Sequence, residues 1–182
     1  MTEKQNRIIE AALDLFASQG YASTSTRNIA KKANVSEGLI FRHYENKEVL
    51  LREILTKGYE SIQPKLYSIL MEVDPKIVID RVLGLPLDLL QTKTDYWRLI
   101  FSIKFQHLAL YRSINDDHKL LDPLFEKVEQ ALKELGYKNP KKESRIIFMF
   151  LEGVSSHCLK NGVGDMQENV DYMREKYLKE SA

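Results

Sequence analysis

Ten residues set close together carry groups suited to molecular recognition: Thr26, Arg27, Ser36, Glu37, Gly38, Phe41, Arg42, His43, Tyr44 and Lys47. Hydroxyl, guanidinium, imidazole and ammonium groups suit the oxygens of a phosphate backbone. Arginine forks, a carboxylate and an apolar ring suit the edges of bases in a major groove. No nucleophile elbow, phosphate loop or paired-carboxylate site accompanies them. The chemistry on offer is binding rather than turnover, and the chain reads as no enzyme.

These residues need two short helices and a tight turn to present them, and the stretch Thr24 to Leu51 supplies both. Thr24, Ser25 and Thr26 can each cap a helix start, because a short hydroxyl accepts from an orphan backbone N–H. Ile29, Ala30 and Ala33 then share one helical face. Asn34 tolerates the left-handed backbone that ends many helices, and Val35 plugs the turn. Ser36 caps a second helix, with Leu39 and Ile40 on its buried side and Glu37, Gly38, Phe41 and Arg42 largely opposite. His43 and Tyr44 end it. Asn46 caps the next helix, with Lys47 in its first turn, where the positive helix end disfavours a cation unless a phosphate stands nearby.

Gly20-Tyr21, Thr24 to Ala30, Ala33 to Ser36, Gly38, His43-Tyr44 and Lys47-Glu48 together resemble the N-terminal DNA-binding domain of the tetracycline-repressor (TetR) family of bacterial transcription regulators. The resemblance covers the first third of the chain; beyond it the likeness is one of length and helical character. It implies that Thr26 bonds a phosphate, that Arg27 reaches a base or a phosphate, and that His43 and Lys47 touch phosphates. Gly38 lets the recognition helix approach DNA closely. Phe41 stands where the family usually has Tyr, so it keeps contact with a thymine methyl and loses a hydroxyl. Tyr44 stands where Phe is common and brings a hydroxyl instead. Asn34 replaces the usual turn glycine. Arg42 and Glu37 are the candidates for sequence choice. Taken singly, Thr26 and Ser36 read as helix caps, Lys31 and Lys32 as solvated surface, Lys47-Glu48 as an exposed helix start and Gly38 as an aid to helix packing.

Length and composition set the outer bounds. With 182 residues the chain can hold one or two domains. The single Cys158 rules out an internal disulfide framework and fits a reducing, cytoplasmic setting. The N-terminal residues are amphipathic and charged, unlike a secretory signal, and no apolar run is long enough to span a bilayer. A net charge of +1 argues against a wholly basic nucleic-acid binder. It leaves room for a local basic face built from Arg27, Lys31, Lys32, Arg42 and Lys47.

The expected class is all-α: a three-helix, helix-turn-helix domain over residues 1–58, then a helical bundle for dimerisation and effector binding over residues 59–182. Thr2 and Gln5 form a capping box ahead of an apolar face of Ile8, Ala12, Leu15 and Phe16, ended by Gly20. The helix from Lys47 meets Pro64, which bends or ends it. Asp74-Pro75, Thr94-Asp95 and Asn139-Pro140 open further helices. Pro86 is expected to kink one, Asn115 to His118 to break the chain, and Leu120 to Leu135 to form an amphipathic helix. No strand alternation or internal repeat is visible.

The resemblance also implies a small effector and a homodimer. Tyr67, Met71, Trp97, Phe101, Phe105 and His107 are the effector candidates, since aromatic and Met side chains suit an adaptable apolar cavity. They suit the core of a helical bundle equally well. Leu121, Leu124, Phe125, Val128 and Leu132, with Phe150, Val154 and Cys158, are the dimer candidates, two apolar faces able to form a four-helix interface. They too can pack within one subunit. No metal-ligand spacing appears among the histidines and Cys158, and no cofactor is implied. The expected partners are a palindromic duplex operator, a small and largely apolar effector, and a second copy of the chain; no membrane is involved. A DNA-binding protein without an effector, or an all-helical carrier or enzyme, are the alternatives.

Overall fold

Helix starts and stops in this chain are written in side chains that satisfy backbone groups. The computed structural model describes residues 1–118 and 122–178. The α-helices are α1 (Glu3–Gln19), α2 (Thr26–Ala33), α3 (Glu37–His43), α4 (Lys47–Leu70), α5 (Pro75–Thr92), α6 (Thr94–Gln106), α7 (Leu108–His118), α8 (Asp122–Glu134), α9 (Pro140–Asn161) and α10 (Gln167–Leu178). A 3-10 turn, Gly164–Met166, precedes the last. The described residues contain no strand, in keeping with the all-α expectation. None of their helices is long and apolar enough to cross a membrane.

The caps fall largely where the sequence puts them. Thr2 and Gln5 form the capping box of α1, and Gly20 ends that helix at φ 87°. Asn34 ends α2 in the left-handed region at φ 52°. Asn46 accepts from the Val49 amide at 3.0 Å and starts α4, and Asp74 caps α5. Two prolines lie within helices. Pro64 lies inside α4 and Pro86 inside α5, and neither ends its helix. A mid-helix proline costs about 3 kcal/mol. Burial of Ile62, Leu66 and Ile69 around Pro64, and of the Val82–Leu90 face around Pro86, outweighs that cost. Asn115 to His118 continue α7 instead of breaking it.

The chain divides into two compact units, residues 1–61 with 95–117 and residues 62–94 with 118–182. The placement of 95–117 differs from a simple boundary at 58/59. Its cause is apolar: Tyr96, Leu99 and Ile103 of α6 are buried in one core with Ile8, Phe16, Ile29, Ile40, Leu51 and Ile54. The Tyr96 hydroxyl donates to the Leu55 carbonyl at 3.2 Å. Gly58 makes this possible, because a Cβ there would collide with the Tyr96 ring.

In the second unit α5 packs against α8, α9 and α10, and α8 against α9. That packing consumes most of the residues expected at a dimer interface. Leu124, Val128, Leu132, Val154 and Cys158 are all buried within the chain. Phe125 is half-buried and stacks on Phe148, Phe150 is half-buried, and Leu121 lies outside the described residues. The apolar faces of α8 and α9 therefore face their own core. The outward side of α9 instead carries Ile146, 41 % exposed, and Met149, 66 % exposed, with Gly153 exposed one turn on.

Candidate nucleic-acid interface

Residues Ser36 to Tyr44 make a two-turn helix with one apolar anchor. Ser36 accepts from the Leu39 amide at 3.3 Å and so fixes the start of α3. Ile40 is 1 % exposed and seats the helix on the core, with Leu39 packed beside it. The opposite face is open: Gly38 and Arg42 are exposed, and Phe41 is 51 % exposed. A Cβ added to Gly38 would meet no neighbour within 4 Å. The packing role open to this glycine in the sequence is thus absent within the chain.

Around α3 the cations divide into engaged and free. Lys32 pairs with Asp14. Arg27, Lys31 and Arg42 are exposed and, among the described residues, have no protein partner. Lys4, from the first turn of α1, shares with Asn34, Ser36, Gly38, Leu39 and Arg42 a concavity of about 400 Å³. The described residues hold no group of three or more side chains fit to bind a metal ion.

Three of the candidate residues are engaged within the chain. Lys47 donates to the carbonyls of Tyr21 at 2.8 Å, Thr24 at 3.0 Å and Ala22 at 3.4 Å, and lies 4.4 Å from the centre of the Tyr21 ring. An ammonium has three donors, so these bonds use them all. Burial lowers its pKa. Lys47 ties the α1–α2 loop to α4, which leaves no donor for a phosphate. Tyr44 is 6 % exposed and belongs to the core, where burial, and after it the charge of Glu53, raises its pKa. Its ring packs and its hydroxyl is no substitute for one lost at Phe41. Thr26 is the first residue of α2 rather than its cap, a role taken by Ser25. The Thr26 hydroxyl donates to the Glu37 carboxylate at 2.6 Å, joining α2 to α3.

His43 keeps a donor for an outside partner. The Gln5 amide oxygen accepts from the Thr2 N–H at 2.8 Å, which orients the group. Its NH₂ then faces His43 Nδ1 at 3.3 Å and must donate to it. In the neutral ring that leaves the proton on Nε2. Gln5 and Lys4 were not singled out by sequence reasoning for this region. The capping box revealed that α1 starts there, but not that its first turn abuts α3.

The bacterial regulatory proteins of the tetR family have a family model that matches residues 8–54. By this match residues 8–54 resemble the N-terminal domain of those regulators. Among its relatives is the HTH-type transcriptional repressor Rv3405c of Mycobacterium tuberculosis (strain ATCC 25618 / H37Rv), 40 % identical over 76 residues, 42 % of this chain and 38 % of that protein. The first relatives matched are spanned over only 24, 30 and 38 % of their own length. A likeness of fold to solved regulators extends well beyond that segment. The regulator FadR from Bacillus subtilis, in complex with stearoyl-CoA, superposes with a TM-score of 0.69 at 21 % identity, covering 96 % of this chain and 95 % of that one. AibR, in complex with isovaleryl coenzyme A and operator DNA, gives 0.73 at 18 % identity, covering 96 % and 97 %.

The effector candidates fall in both units. Tyr67 and Met71 belong to the second unit and are 51 % and 74 % exposed. Trp97, Phe101, Phe105 and His107 belong to the first. Phe105 is 67 % exposed and lies against Phe101 with ring centres 6.1 Å apart. Trp97 Nε1 and His107 Nε2 are different, being buried with no hydrogen-bond partner.

Replacing Lys47 by Met keeps the aliphatic stem and removes the three donors. Lys47→Met is expected to destabilise the first unit by about 1–2 kcal/mol and to speed amide exchange over residues 21–24, read by urea titration and hydrogen–deuterium exchange. Unchanged stability and exchange would show that the tie is not structural.

Proposed function

We propose that this chain is a transcriptional repressor that binds a palindromic operator as a homodimer and releases it when an effector with an apolar acyl portion binds. The observation that carries the DNA half of this reading is the outer face of α3. Gly38, Phe41 and Arg42 stand there exposed, and the glycine serves no neighbour within the chain. A glycine inside a helix costs about 0.5–1 kcal/mol relative to alanine, so its use here suits close approach by an outside surface. α3 enters the major groove with Phe41 against a thymine methyl and Arg42 on a guanine edge. Arg27, Ser36 and His43 lie on phosphates and set the register. Thr26 joins them by exchanging its bond to Glu37 for a phosphate oxygen, which frees the carboxylate to accept from a cytosine amino group.

The partner for dimerisation is a second copy seated on the outward side of α9. Exposed Ile146 and Met149 and half-buried Phe150 supply apolar area there, and Gly153 permits close helix approach. Two copies then place their α3 helices about 34–36 Å apart, one turn of DNA.

The effector class proposed is an acyl-CoA thioester. Its support is the likeness of fold to the FadR and AibR complexes, together with the orphaned nitrogens of Trp97 and His107. A buried polar group without a partner costs about 1–3 kcal/mol, and a thioester or phosphate oxygen would relieve that cost. The His107 ring stands edge-on to Tyr21 at 5.6 Å, and Tyr21 is the residue beneath Lys47. Ligand binding beside His107 therefore acts on the loop that precedes α2. Release follows to the extent that the effector binds the DNA-free geometry more tightly.

Binding sites selected from random duplexes test the reader. Gly38→Leu is expected to keep or raise the melting temperature yet weaken duplex binding by about tenfold or more. Arg42→Ala is expected to cost about 1–3 kcal/mol and relax preference at one position of each half-site. Wild-type affinity and sequence preference in both variants would remove α3 as the reader. For assembly, Met149→Glu is expected to convert a dimer to a folded monomer by light scattering and to weaken operator binding. A dimer in the variant would place the interface elsewhere. For the effector, stearoyl-CoA and isovaleryl-CoA are each titrated while Trp97 fluorescence and operator occupancy are read. A saturable fluorescence change with loss of bound DNA for at least one of them is expected, and no response to either would reject the class.

A further inference from the structure

We infer that the concavity between the first turn of α1 and α3 is a seat for a DNA backbone phosphate, with Lys4 as a contact that lies outside the helix-turn-helix motif. The inference rests on the DNA-binding reading and extends it by one residue and one position on the duplex. Lys4 and Arg42 are two of the side chains lining this space of about 400 Å³, with Asn34, Ser36 and Gly38 among the others. Both cations are exposed, and neither has an ion-pair or hydrogen-bond partner among the described residues. A depression with two unspent positive charges and no lining acid is complementary to a phosphodiester. Glu37, the acid nearest in sequence on α3, does not line it; its carboxylate is engaged by Thr26.

Lys4 is also held in place. The Thr2–Gln5 capping box orders the turn that carries it. The Gln5 amide bonds His43 at the far end of α3, which fixes that turn against the recognition helix. A lysine in the first turn gains nothing from the helix dipole, which disfavours a cation at this end. Its value therefore lies in what approaches from outside. When α3 lies in the groove, Lys4 bonds the phosphate of the bordering strand, while Arg42 reaches from the rim of the seat to a base edge and adds only its charge to the phosphate.

The test uses the full chain with its selected operator and with unrelated duplexes. Lys4→Ala, Lys4→Arg, Arg42→Ala and, as a control in the second unit, Lys133→Ala are compared across salt concentrations. Lys4→Ala is expected to weaken binding to every duplex by the same factor, about 3- to 10-fold near 0.1 M salt. It should also lower the slope of log affinity against log salt by about one per subunit. Lys4→Arg should restore both, and Lys133→Ala should leave both unchanged. Inorganic phosphate titrated alone should give no Lys4-dependent saturable shift, marking the duplex backbone as the source; such a shift would instead assign the seat to free phosphate and overturn the inference. Wild-type affinity and slope in Lys4→Ala, beside a weakened Arg42→Ala, would overturn this inference alone. Absence of duplex binding by the wild type would remove it together with the reading on which it rests.

Discussion

A seven-residue helix cannot stand alone in water, because the first turn costs more order than its few hydrogen bonds return. α3 is such a helix, and its existence depends on burial of Ile40. Full burial of one such side chain contributes about 1.5–3 kcal/mol, and Ile40 achieves it against the core formed by α1, α2, α4 and α6. Because one side of two turns does the anchoring, the other is left without internal duties. That is why Gly38, Phe41 and Arg42 can all face outward. The Ser36 cap and the Thr26–Glu37 bond then set where the rod begins and which way it points.

The loop before α2 is organised with similar economy. Thr24 is buried and its hydroxyl donates to the carbonyls of Leu15 at 3.2 Å and Gly20 at 2.9 Å, closing the end of α1. Lys47 reaches over from α4 to take up the next carbonyls. The Tyr21 ring lies between the Lys47 ammonium and the His107 ring, and packs edge-on against Phe16. Polar and aromatic contacts thus link α1, α4 and the start of α7 at one loop. The grouping of residues 95–117 with the N-terminal helices follows from this loop together with the Tyr96–Leu55 bond.

The local layer of this structure was legible from single residues. Thr2, Gly20, Asn34, Ser36, Asn46 and Asp74 each act within four residues of their own position, so their roles survive without knowledge of the rest of the chain. The sequence is less informative where a role depends on a distant partner. Lys47 resembles a phosphate ligand in sequence, but its donors are claimed by carbonyls more than twenty residues away. Leu124, Val128 and Val154 are apolar at helical spacing, and spacing cannot tell a face turned to the subunit's own core from one turned to a partner. Lys4 was passed over because nothing near it in sequence places α1 beside α3. Tyr67 and Met71 fell to the same ambiguity in the opposite sense, being apolar and exposed.

The central claim is that α3, with its free outer face, is laid into the major groove by two copies at once. Dimethyl sulfate footprinting of the selected operator reads this directly, because it methylates guanine N7 in the major groove and adenine N3 in the minor groove. The account predicts protection of guanine N7 in two patches centred about 10 base pairs apart, with adenine N3 left reactive. Protection confined to adenine N3, or a single unpaired patch, would contradict it.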